Sequence, residues 1–473
     1  MGYSYDSIPT YQGELYEACV NKTMELLNFQ GSIHTGWEGM NQVGTPLKIT
    51  AIGGAYEGSV FVSGGQVTNA ITGAQELYVF SPQGLPFDDV ASMVKWYGDT
   101  INSMFVDWTS LPDPDDFAGP IAQLRTAAEK LTIDDDFGGS KYAAPLGRNK
   151  ELDGNVTSIT DKIGNMSGLA MNTFGNEWCN QLPKTLACQA TVVRTLYGTI
   201  AGEKEVWTRA KQVVADIAGK GVEAAKSANG QGPGGGLDGL DVLLSVAGAV
   251  ALIAAPFTDG ASLAVVGGLN AIGVIAQTSA DFVPEPAEPE KKGLDSGHPV
   301  GVLYNMQEAL DALNTQISNE EKGIQKAMGK YLSFIGANSD SFAIKTPDLI
   351  YDDNKGDYLA INKFDLHQVA TEWMRENGEC YAAASTALDS ADGSGPWSRP
   401  GSIGVGATGP YPDWSKLRND VSPYVARLYT QNEQSRAALA IVARDFGRTD
   451  DQIETDLQAQ TAKIEAAGRT AGH

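Results

Sequence analysis

Apolar residues along this chain recur mostly at three- and four-residue spacing, a period that predicts helices over most of its length. The clearest stripe is Leu186, Val193, Leu196, Ile200, Trp207, Val214, Ile217 and Val222, which predicts one long helix from about Lys184 to Ala228. A second stripe, Leu303, Met306, Leu310, Leu313, Ile317 and Ile324, starts near Val300, just after Pro299. Shorter helical patterns cover 11–28, 87–108, 117–131, 156–174, 364–388, 414–444 and 449–467. Pro112 and Pro114 stop one helix, and Asp115 or Asp116 can cap the next.

Two short segments carry a strand-like pattern instead. KITAI (48–52) and SVFVS (59–63) flank GGAYEG and suggest a β-hairpin, although the small residues there also suit an irregular helix. Polar and Gly/Pro-rich breaks punctuate the rest: SANGQGPGGGLDG (227–239), DFVPEPAEPEKKG (281–293), the polar stretch 337–362, and SADGSGPWSRPGSIGVGATGPYPD (390–413). The segment 281–293 reads as a linker with no pattern of its own. These breaks divide the chain into an N-terminal mixed segment (1–90), a helical hairpin region (91–232), a Gly-rich and apolar segment with its linker (233–293) and a second helical bundle (294–473). Antiparallel hairpins bury long amphipathic stripes most simply. The expected fold is mainly α, built of elongated antiparallel hairpins and bundles, with a small β-hairpin near the N-terminus.

Within 233–293 lie two uncharged runs, Val242 to Phe257 and Ala261 to Ala276, joined by Thr258-Asp259-Gly260. As helices each spans roughly 24 Å at 1.5 Å per residue, short of the roughly 30 Å of a bilayer core. Three readings compete: burial inside the bundle, burial between subunits, and insertion into a membrane as a hairpin. Gly248, Ala251, Gly267, Gly268 and Gly273 allow close helix contact in lipid or in protein. Aromatic belts and basic anchors are missing from the flanks, which favours burial within protein.

Composition narrows the partners. With 58 acidic against 34 basic residues, the formal charge is −24, and 42% of residues are hydrophobic. A sizeable core is therefore affordable, and a nucleic-acid partner is not expected, because phosphate binding needs a basic footprint. The four cysteines, Cys19, Cys179, Cys188 and Cys380, are too few for a disulfide scaffold, and no pair has zinc-ribbon spacing. Cys179 and Cys188 can meet across a turn. The opening MGYSYDSIPT has neither a basic stretch nor an apolar one, and Asp6 breaks a myristoylation pattern. Export, if it occurs, is expected by a Sec-independent route.

Candidate chemistry is sparse. GVGATG (404–409) is a literal GxGxxG, but Pro400 precedes it and Pro410 and Pro412 follow, so it reads as a flexible loop and not as a dinucleotide site. DDNKGD (352–357) lacks glycine at the sixth position of a calcium loop and reads, like Asp134–Asp136, as a solvated acidic turn. The histidines are His34, His298, His367 and His473; His298 falls in a linker and His367 on a helix. Neither GxSxG nor HExxH occurs. No catalytic, cofactor or metal residues are expected, and the chain reads as a non-enzyme.

The tryptophans are more informative. Trp178, in GNEWCN, and Trp37, in Trp37-Glu38-Gly39, each follow a helical pattern and precede a break. A large aromatic there can plug the end of a two-helix hairpin, or simply sit in the core. With these features the chain resembles the WXG superfamily of type VII (ESX-type) secretion systems, in the long multi-hairpin form of actinobacteria. The likeness rests on LPDPDDFAGPIAQLRTAAEKL (111–131), on FGNEWCNQLP (174–183) with EKEVWTRAKQVVADIA (203–218) after it, and on the end of the chain from Asp413 to Leu457. Trp178-Cys179-Asn180 lacks the glycine of Trp-x-Gly, whereas Trp37 and Gly39 keep it. The family's export signal, a Tyr and an acid four residues on, has its counterpart in Phe446 and Asp450, with Phe for Tyr. On a helix these two share a face. Alternatively, Phe446 closes a helix and Thr449 caps the next. The resemblance implies a helical protein, secreted or at the cell surface, that works by self-association or by binding components of the secretion system. The alternative function is membrane insertion, for pore formation or anchoring, by the 242–276 hairpin.

Overall fold

The computed structural model describes residues 2–40, 46–49, 67–69, 85–133, 147–230, 241–244, 290–347, 362–391 and 393–445. The protein is mainly α with small antiparallel sheets. Its axis is α6 (Leu182–Ser227), a helix of 46 residues with Pro183 in its first turn, where proline lacks no needed donor. Packed on α6 are α1 (Ile8–Leu26), α3 (Ala118–Leu131), α7 (Pro299–Ala337) and α10 (Tyr411–Asp445), while α9 (Met374–Ser390) covers α3 and α10. α2 (Val90–Phe105) lies on α1. It begins with a reciprocal cap in which Asp89 accepts from the Ser92 amide at 2.7 Å and Ser92 Oγ accepts from the Asp89 amide at 3.0 Å.

Enclosure of α6 goes further than its stripe predicts. Every residue from Thr185 to Ile200 is buried, including Gln189, Arg194 and four threonines. These polar groups are accommodated because they find partners. Gln189 Nε2 donates to the carbonyls of Phe342 at 2.7 Å and Tyr424 at 3.2 Å, tying α6 to the chain after α7 and to α10. Arg194 donates to Thr132 Oγ1 at 2.5 Å, and Thr195 and Thr199 bond back to the carbonyls of Thr191 and Thr195. The bonds of Gln189 and Arg194 to the surrounding chain help to fix the register of the neighbours of α6.

The predicted helix over 156–174 is two helices. α4 (Lys150–Gly164) ends at Asn165, and Gly168, at φ +124°, turns the chain into α5 (Leu169–Phe174). α5 then runs through a π-helical turn, Gly175–Cys179, towards α6. The same arrangement recurs later: α8 (Lys363–Gln368), a π turn Val369–Trp373, then α9. Each π turn carries a Glu-Trp pair, Glu177-Trp178 and Glu372-Trp373, and both turns pack against α4.

The N-terminal β structure is larger than a hairpin. Four strands, β1 (Gln30–Ser32), β2 (Gly36–Met40), β3 (Pro46–Ile49) and β4 (Val67–Asn69), pair in that order, all antiparallel. β3 overlaps the predicted KITAI strand, and SVFVS lies outside the described residues. A second sheet pairs β5 (Asp241–Leu244) with β6 (Glu290–Gly293). This corrects two readings. The start of the first apolar run is a strand, with Val242 and Leu244 buried and Leu243 exposed, and the end of the supposed patternless linker is its partner. An alternation of that length is too short to be read against the apolar run that follows it. Residues 245–289, including Phe257, Ala261 and Ala276, lie outside the described residues. Among the described residues, no helix is long and apolar enough to cross a membrane.

Candidate functional site

The residues singled out by their tryptophans separate. Trp178 is fully buried in the π turn, stacked on Phe174 with ring centroids 5.2 Å apart, between α4 and the start of α6. The break between α4 and α5 lies earlier, at 165–168, so Trp178 sits within the helical turns that follow it. Trp37 is also fully buried, but in β2, paired with Gly31 and Ile49. The helix-hairpin reading of Trp37 and Gly39 is therefore corrected. Gly39 serves the sheet, where a Cβ would stand 2.6 Å from the Phe29 ring. Phe446 and Asp450 lie outside the described residues, as do Asp134–Asp136 and DDNKGD. Cys179 and Cys188 are buried free thiols, both pushed up to about 12 by desolvation, and so are neither a disulfide nor reactive nucleophiles. His298 is no linker residue. It caps α7, its Nδ1 accepting from the Val300 amide at 3.2 Å.

Chemistry concentrates where the sequence showed only a flexible loop. Arg399 is buried, and its guanidinium pairs with Glu321 of α7; neither side chain has exposed surface. It also lies over the Trp207 ring of α6, 4.7 Å from the centroid. One turn back on α6, Glu203 accepts from Trp207 Nε1 at 3.1 Å. Glu203 Oε1 has no hydrogen-bond partner among the described residues.

The GVGATG segment wraps this cluster. The Arg399 amide donates to the Ala407 carbonyl at 3.1 Å, closing the loop on itself. Val405 N donates to Glu321 Oε2 at 2.7 Å, and Gly404 N donates to Asn314 Oδ1 at 2.7 Å. Asn314 Nδ2 in turn donates to the Ser402 carbonyl at 2.9 Å. Gly404 and Gly409 have φ of +64° and +50°, and a Cβ at either would collide with Glu321 or with the guanidinium. Backbone amides that would cradle a phosphate in a dinucleotide fold here bond the Glu321 carboxylate and the Asn314 side chain of the same protein. The loop is thus neither flexible filler nor a cofactor site. It is the cover of a buried ion pair.

Charge decides the state of this cluster. Two carboxylates face one guanidinium in a dry interior, so full ionisation would leave one negative charge uncompensated. Burial pushes both carboxyls up: Glu203 well above the usual range, through desolvation and then the charge of Glu321, and Glu321 to about 7 despite Arg399. Glu321 has the guanidinium and an amide donor, so it is the one that holds the negative charge, and Glu203 keeps the proton. Both side chains are buried.

Sequence reading missed all three residues, although two left a signal. Glu203 falls on the buried stripe between Ile200 and Trp207, and Glu321 between Ile317 and Ile324. A carboxylate at a core position of an apolar stripe asks for a buried partner. Arg399, in a Gly/Pro-rich loop, left none.

Two other features gather charged side chains. Glu433 and Arg436 of α10 form a second buried pair, Arg436 Nε donating to Glu433 at 3.0 Å, while Asn432 Nδ2 donates to the Met374 carbonyl of α9 at 2.8 Å. The pair lies within α10, and it is the neighbouring Asn432 that fastens α10 to α9. A surface cleft of about 480 Å³ lies between α1 and β1. Its acids are engaged: Glu14 with Lys226, Glu17 with His34 and Glu25 with Lys22. Among the described residues no group of His, Cys, Asp or Glu could hold a metal. No protein-family model matches this chain, and neither a curated protein nor a solved structure matches it.

Proposed function

We propose that this chain is a non-enzymatic helical scaffold of the type VII secretion kind, exported by a Sec-independent route and acting by self-association or protein binding. The observation that carries this reading is Trp178, fully buried against Phe174 in the turn that leads into a 46-residue helix. A tryptophan just before a long helix is one of the features on which the resemblance rests. The long helices α7 and α10 add extended surfaces suited to assembly. The Glu203–Glu321–Arg399 cluster is enclosed in the bundle, which suits a scaffold better than a catalyst.

Two measurements test it. Phe446→Ala and Asp450→Ala should each lower the extracellular fraction in the native host while leaving the circular-dichroism melt unchanged. Normal export of both variants removes the export reading. Size-exclusion chromatography with light scattering on the purified chain should show a uniform oligomer or a defined complex with a secretion component. A monomer that binds none of them, yet floats with liposomes, would favour insertion by the 242–276 segment instead.

A further inference from the structure

We infer that Glu203, Glu321 and Arg399 form a proton-held latch that keeps the Arg399–Gly409 loop closed on α6 and α7. While the two carboxylates share one proton, the cluster is neutral and the loop is closed. When that proton is lost, one negative charge stands uncompensated in the interior, and the loop lifts to let water reach it.

Geometry makes the loop the part that yields. α6 and α7 are long helices whose backbones are held by their own ladders and by core packing on several sides. The loop holds itself with short turns: Ile403 N to the Pro400 carbonyl, Gly406 N to Ile403 and Gly409 N to Gly406. Its attachments to α7 are the Glu321 and Asn314 bonds already described, and its attachment to α6 is the Arg399 stack on Trp207. Local opening follows the least packed segment with the fewest independent ties. The ionisable groups facing the cluster are Glu203 from α6, Glu321 from α7 and Arg399 from the loop. On the outer side of the loop, Asp107, just past α2, accepts from Ser402 Oγ. No second cation among these balances Glu203.

The raised carboxyls give the direction. The open, hydrated cluster titrates near the ordinary glutamate value, 4.5; in the closed one Arg399 holds Glu321 ionised, and the proton on Glu203 is lost only well above its ordinary range. Closed binds one more proton than open across that interval. Opening therefore becomes about tenfold more favourable per pH unit from the ordinary value up to the closed-state titration, then levels off.

Amide hydrogen exchange of the whole protein tests the latch, read in peptides covering 398–410 and corrected for the intrinsic pH dependence of exchange. In the wild type, loop protection should fall with that slope of about one decade per pH unit, while α6 peptides hold constant. Glu203→Gln, which keeps the shape and removes the titration, should flatten the loop profile. Arg399→Gln should leave the loop weakly protected at neutral pH, where both carboxylates are then uncompensated. A wild-type loop whose protection tracks α6 at every pH overturns the latch, as does a Glu203→Gln loop with an unchanged slope. Should Glu203→Gln fail to fold, infrared spectroscopy of the wild type decides. A protonated-carboxyl carbonyl band must persist at neutral pH and vanish over the range in which the loop loses protection, and its absence at neutral pH overturns the latch.

Discussion

Replacing Arg399 with methionine gives the most direct measure of what the buried cluster contributes. Methionine fills part of the space beside Trp207 and removes the cation that, among the described residues, faces two enclosed carboxylates. The second carboxyl must then also take up a proton to stay buried. Against an ordinary value of 4.5, holding that proton costs roughly 1.36 kcal/mol per pH unit above it, so about 0.7 kcal/mol at pH 5 and about 4.8 kcal/mol at pH 8. The upper figure sits within the ~3–5 kcal/mol seen when one partner of a buried pair is removed. Loss of the stack on Trp207 adds about 0.5–2 kcal/mol at either pH. Urea unfolding at the two pH values, for wild type, Arg399→Met, Glu321→Gln and the double variant, isolates the electrostatic part. Arg399→Met should be several kcal/mol worse at pH 8 than at pH 5, and Glu321→Gln in the same chain should restore most of that difference. If melting is used and all 473 residues unfold together, the entropy of unfolding is about 1 kcal/mol per kelvin, so the pH 8 loss is roughly a 5 °C drop. A cost below about 1 kcal/mol at pH 8, or one equal at both pH values, would refute the burial of this pair in solution.

Further outcomes follow from the same structure. Trp178→Ala should cost about 3–5 kcal/mol in chemical denaturation, because a fully buried indole stacked on Phe174 leaves a cavity that α4 cannot close. Gly409→Ala should cost at least about 1–2 kcal/mol and raise hydrogen exchange in the 398–410 peptides, since φ is +50° and the added Cβ meets the guanidinium. Asp89→Ala removes the reciprocal cap of α2 and should lower stability by about 1 kcal/mol. Cys179 and Cys188, with thiols raised to about 12 by burial, should resist a thiol reagent in the native protein and react only on unfolding.

The helices were legible because their cause is local. A stripe such as Leu196, Ile200, Trp207 and Val214 repeats at the period of the helix, and proline or glycine marks the ends. Strands of three to five residues were largely illegible, since Gln30–Ser32 and Asp241–Leu244 owe their conformation to partners elsewhere in the chain. Trp37 and Trp178 show the same divide. Each offered itself as a hairpin plug or a core aromatic, and a strand register puts one in the sheet while a π turn puts the other beside α4. The Glu203–Glu321–Arg399 cluster is the extreme case. Its members come from α6, α7 and a loop, up to 196 positions apart (399 − 203). Pattern along the chain could show that two carboxylates stood at core positions. Only the packing of two long helices, which closes water out and brings one loop arginine between them, decided that those carboxylates share a single cation.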